Sequence, residues 1–165
     1  MMIRELWKRL QAILRPVSAS NGKPKVFEPV EILRRDYHDL QRLAEQIGAH
    51  AERAPYPHVA QRLRQIAFEK QKNAAILKEK ILSLGHESEG PQPIIKSGKN
   101  HWDRMVQDLE DQKTLENSFL EQAVRLADEV PEISDLLRRV VAAQLPHKEI
   151  LLDLVARADP QATQS

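Results

Sequence analysis

The sequence predicts an all-α fold, a bundle of four long helices. Three observations carry that prediction. Ten prolines cut the 165-residue chain into long blocks. Each block carries apolar residues at alternating three- and four-residue spacing. The composition is also poor in sheet-forming material, with 4% aromatics and five glycines. Hydrophobic residues at 41% and charged residues at 30% suit a folded chain rather than a disordered one. A chain of this length forms one domain and buries roughly two-thirds of the surface it exposes when unfolded.

The prolines stand at positions 16, 24, 29, 55, 57, 91, 93, 131, 146 and 160, and only Pro146 interrupts a block. The blocks span 29–54, 57–84, 101–129 and 131–157, and Pro29, Pro57 and Pro131 each open one, where a missing N–H costs nothing. Asn100 with Asp103 forms a capping pair for the third helix, and Gly85 stops the second. Pro146 should kink the fourth helix beside His147, because it frees the carbonyl of Ala142.

The first stripe is Val30, Leu33, Tyr37, Leu40, Ala44, Ile47 and Ala51. The second is Val59, Leu63, Ile66, Leu77 and Ile81; the third is Trp102, Met105, Leu109, Phe119, Ala123 and Leu126. The fourth is Ile133, Leu137, Val140, Leu151 and Leu154. Such spacing forms one buried seam per helix.

Loop lengths then choose the topology. Tight turns near 54–57 and 130 make two antiparallel helix pairs. Between the pairs lies the stretch from Gly85 to Lys99. Fourteen or so extended residues reach about 46 Å, and a 26-residue helix is about 39 Å long. The stretch can therefore travel the length of the bundle, so the expected arrangement has one long crossover between helices two and three.

Charge is uneven. Residues 1–26 hold Arg4, Lys8, Arg9, Arg15, Lys23 and Lys25 against Glu5 alone, a local charge of +5, which leaves −4 for the rest of a chain whose total is +1. Within residues 2–15, Met2, Ile3, Leu6, Trp7, Leu10, Ile13 and Leu14 form an apolar face at helical spacing, with Arg4, Lys8, Arg9 and Arg15 mostly on the other. Such a short amphipathic helix packs on its own bundle or a sister chain, fills a partner's groove, or lies on an anionic membrane. The chain thus divides into an arm and tether at 1–26, a bundle at 27–158 and a loose tail at 159–165.

The absence of cysteine excludes disulfides, thiolate metal sites and cysteine catalysis. No Gly-rich phosphate loop or nucleophile elbow is present. No apolar run reaches the roughly 20 residues of a membrane span. The acidic body argues against nucleic-acid binding. Charges break the apolar run of the arm, so it does not read as a secretory signal, and the expected location is cytoplasmic or membrane-peripheral. His38, His50, His58, His86 and His101 are scattered, with His38 alone near the layer described next.

The stripes are broken at mid-height. The second seam continues through Lys70 and Asn73, the third through Gln112 and Glu116, and the fourth through Gln144 and His147. Register counted from the tight turns sets these at one level, with Tyr37 of the first helix beside them. This polar belt is the candidate site, because a buried charge must be paired or neutralised.

The segment Glu69-Lys70-Gln71-Lys72-Asn73-Ala74-Ala75-Ile76-Leu77 resembles the second helix of the ferritin-like superfamily, rubrerythrin type, whose pattern is Glu-Glu-x-x-His-Ala-x-x-Leu. Gln144-Leu145-Pro146-His147 resembles that family's second Glu-x-x-His copy. The resemblance covers about residues 29–157. It implies a bundle that holds two carboxylate-bridged metals through one Glu from each of two helices and Glu-x-x-His from each of the others. It also implies a homodimer. Carried over by position, Lys70 stands in place of a Glu, Asn73 in place of a His, and Gln144 in place of a Glu. His147 matches, and Glu116 is the third-helix carboxylate. The first helix offers Tyr37, with Asp36 beside it but rotated off the seam.

The expectation is that an internal Lys70–Glu116 ion pair replaces the metal, with Asn73, Gln144 and His147 satisfying the rest. That makes the chain a non-catalytic ferritin-like protein without cofactor, acting by association. Two alternatives stand beside it. One is a ferritin-like iron protein or oxidoreductase with a rearranged site of Glu116, His147, Asp36 and His38. The other is a membrane-associated accessory subunit placed by residues 2–15.

Overall fold

A computed structural model describes residues 3–4 and 28–160 of the chain. It contains four long helices: α1, Glu28–Glu52; α2, Pro57–Ser83; α3, His101–Leu126; and α4, Pro131–Arg157. No strand occurs among the described residues. The arm falls outside them except for Ile3 and Arg4, which are helical and exposed. Residues 161–165 of the tail also lie outside.

The helix ends follow from local chemistry. Pro57 and Pro131 occupy the first positions of α2 and α4. α2 ends in a Schellman motif: Gly85 adopts φ 81°, the His86 N–H donates to Ile81 O at 3.2 Å, and the Gly85 N–H donates to Leu82 O at 3.0 Å. Asn100 caps α3 by accepting the Asp103 N–H at 2.8 Å. Asp103 reaches back to the N–H of Lys99, at 2.9 Å, rather than to the cap residue itself. α1 and α3 stop two and three residues before the predicted ends, because turns at Arg53–Ala54 and after Leu126 reverse the chain. α4 runs unbroken through Pro146.

α1 packs chiefly on α2 and α3 on α4, while α1–α3 and α2–α4 contacts close the bundle more sparingly. Every residue of the predicted stripes is buried except Trp102, which is half-buried. The stretch between α2 and α3 follows α1 in order. The Arg34 side chain donates to Glu87 O at 2.9 Å, Gly90 lies over the His38 ring, and the Lys96 N–H donates to Gln46 Oε1 at 3.1 Å. The ring of His50 meets Lys96 O at 2.7 Å. These contacts climb α1 from its second turn to its last.

α1 has a second buried stripe that faces α3: Ile32, Asp36, Leu43, Gln46 and His50. Asp36 is fully buried. It is off the predicted seam yet still inside the bundle: at one step of four from Ile32 it lies on the α3-facing stripe rather than the α2-facing one.

Candidate functional site: a lysine at the bundle centre

Lys70 is fully buried on α2. Its Nζ donates to Gln112 Oε1 of α3 and to Gln144 Oε1 of α4, and it lies 3.2 Å from His147 Nδ1 of α4. An ammonium has three protons, and three acceptors converge on it. When Lys70 is protonated, His147 accepts at Nδ1 and carries its proton on Nε2, which faces Glu69 Oε2 at 2.7 Å. The Glu69 side chain is 42% exposed. A continuous chain of hydrogen bonds therefore links the buried amine to solvent through one imidazole and one carboxylate.

The expected Lys70–Glu116 ion pair does not form directly. Gln112 stands between the two: its Nε2 donates to Glu116 Oε1 at 3.0 Å while its Oε1 accepts from Lys70. The other oxygen of Glu116 pairs with Lys148 Nζ at 3.1 Å. An amide gives the lysine an acceptor and the carboxylate a donor, so each charge is solvated without contact.

The electrostatics follow from burial. Desolvation pushes the Lys70 amine down to about 7, against the pull of Glu116, Asp108 and Glu69. Burial, and then the neighbouring Lys70, lower the His147 imidazole. Hydrogen bonds from Gln65 and then His147 hold the Glu69 carboxyl below the usual carboxylate range.

Other predicted members of the site lie elsewhere. Asn73 is half-buried in a shallow groove with Ile76, Leu136 and Val140. Ala74, a step of four from Lys70, takes the core position instead. Tyr37 is buried, but with His38 it lines a cavity of about 670 Å³ between α1 and the α2–α3 connection. Asp36 lies against α3, where burial raises its carboxyl to about 7 against the opposing pull of Gln122 and Arg35.

Glu116, His147, Asp36 and His38 therefore do not converge. Among the described residues, no three His, Asp or Glu side chains form a group able to hold a metal ion. The central residues do not fit a di-metal pair. Hard cations need several carboxylates free to bridge them; the layer offers Glu116, already held by Lys148 and Gln112, and Glu69, held by His147 and Gln65, around a lysine amine.

A second polar cluster, between α1 and α3, escaped the sequence reading. His50 Nδ1 meets Asp108 Oδ2 at 2.7 Å. Gln46 Nε2 donates to Asp108 Oδ1 at 2.8 Å and to Asp111 Oδ2 at 3.0 Å. Lys96 Nζ reaches Asp111 Oδ1 at 2.8 Å. Burial raises the Asp108 carboxyl, with His50 opposing it. The cluster ties the connection to both helices. Only a heptad-like recurrence of polar residues on the α3-facing side of α1 could have announced it, and an apolar count passes over that signal.

No family model matches the chain, and no curated protein matches it either. Among the described residues, no helix is long and apolar enough to cross a membrane.

Proposed function

We propose that this chain is a ferritin-like bundle without metal chemistry of its own, in which Lys70 takes the place of the metals, and that it acts by associating with a second copy of itself. The observation that carries the reading is the three-acceptor cradle around Lys70 Nζ. A cation built into the chain removes both the room and the need for a bound one. The path of the α2–α3 connection along α1 supports the ferritin-like topology.

Self-association is supported by apolar side chains left outside on α2 and α4. Phe68, Ile76, Leu145 and Leu152 are between 44% and 55% exposed. They stand on the helix pair with the sparsest packing of the four that close the bundle, and a two-fold pairing would cover each copy's patch with the other's.

Iron titration with elemental analysis tests the first half. Uptake of two irons per chain with an oxo-bridge absorption band refutes it; no stoichiometric uptake is expected. Light scattering tests the second half. A dimer is expected for the parent and a monomer for the double variant Phe68→Glu, Leu145→Glu. A monomeric parent at tens of micromolar overturns it.

A further inference from the structure

Arg104 is the largest fully buried side chain that the site above does not explain. None of its three guanidinium nitrogens has a hydrogen-bond partner. A guanidinium does not deprotonate in a protein, so it must be neutralised by a partner. The two carboxylates that act on it most strongly, Asp103 and Asp108, make no hydrogen bond to it. Asp103 accepts from the Lys99 N–H and from Gln107, and both oxygens of Asp108 are taken by Gln46 and His50. The strongest charged neighbour of Arg104 is another cation, Arg53.

Further features lie at the same place. His101 Nδ1 is buried and has no partner. Burial and then the positive charges of Arg104 and His50 depress the His101 imidazole. Arg104 sits in the first turn of α3, a 26-residue helix, whose positive end gathers there. The Asn100 cap uses the Asp103 N–H, which leaves the N–H groups of His101 and Trp102 at that end. The chain crosses the Arg104 stem at Gly98, with φ 69°, where a Cβ would lie 2.4 Å from Arg104 Cγ. Only a residue without a side chain leaves Arg104 its place. His101, but not Arg104, also walls an open cavity of about 610 Å³ at this end of the bundle.

We propose that Arg104, His101 and the first turn of α3 bind a doubly charged oxyanion of the phosphate class. The three unpartnered guanidinium nitrogens, the unpartnered His101 ring nitrogen and the helix start offer more donors than the two oxygens of a single carboxylate can accept from. The guanidinium fork matches two phosphate oxygens at once.

Thermal and urea unfolding of the full chain with inorganic phosphate tests this, with chloride added to hold ionic strength constant. Phosphate should stabilise saturably, and a tenfold excess over Kd should shift the unfolding equilibrium about elevenfold. Formate at the same ionic strength should bind at least tenfold more weakly. Arg104→Met should lose the phosphate dependence, and Arg104→Lys should weaken it at least tenfold. In the parent protein the imidazole resonances of His101 should move with phosphate occupancy, a readout that needs no variant. The proposal is overturned by a parent that does not distinguish phosphate from chloride. It is equally overturned by equal stabilisation with formate, by an undiminished response in Arg104→Met, or by a stationary His101.

Discussion

Replacing Lys70 by Met removes the central charge while keeping an unbranched side chain of similar length. The amine titrates near 7 in the folded chain and near 10.5 when unfolded. Between those values the unfolded chain holds a proton that the folded chain has released. Stability therefore rises with pH across that window. Below pH 7 both states are protonated and the full burden of burying the charge is carried. The separation corresponds to about 5 kcal/mol. Lys70→Met lacks this titration, so the parent should gain on the variant by about that amount between pH 7 and pH 10.5. The absolute offset also includes the carbonyls of Gln112 and Gln144, which lose their donor at roughly 1–3 kcal/mol each if left unpaired. The pH slope is free of that term. Urea unfolding followed by far-UV circular dichroism, at half-unit steps from pH 6 to 10.5, measures it. Parallel stability curves for parent and variant would refute the burial argument.

Two further perturbations follow from the same chemistry. The Asp36 carboxyl titrates near 7 when folded and near 3.8 when unfolded, so the folded chain keeps a proton the unfolded chain has lost, and stability falls as pH rises between them. Asp36→Asn should abolish a loss of about 4 kcal/mol over that range; a constant gap between parent and variant at pH 4.5 and pH 8 would show a solvated carboxylate. His50→Ala should cost about 3 kcal/mol by stranding the buried Asp108, and should speed hydrogen exchange of the Lys96 amide, whose anchor Gln46 belongs to the same cluster. Unchanged exchange there would show that the connection is held by other contacts.

The helices were legible because their ends are written in residues with one structural meaning. Pro57, Pro131, Asn100 and Gly85 each act where their backbone chemistry requires. The seams were legible because α1–α2 and α3–α4 each bury one continuous apolar stripe. Five members of the belt, Lys70, Gln112, Glu116, Gln144 and His147, were legible as polar breaks in those stripes. Asn73 was misplaced because the α2 seam steps by four at Lys70, onto Ala74. The α1–α3 layer was not legible. Its members Asp36, Gln46, His50, Arg104 and Asp108 are polar, and only their burial in the folded chain reveals that they face inward. The Lys70–Glu116 pair failed for a related reason: spacing places two charges at one level but does not show that an amide lies between them.

Asp36 and Lys70 share one interior and shed their protons near the same pH. The acid's contribution to stability declines as neutrality is approached from below, and the base's recovers only above it. Together they put a trough in the pH–stability profile close to pH 7, where most folded chains lie near a maximum. A shift of one unit to either side should firm the scaffold rather than loosen it.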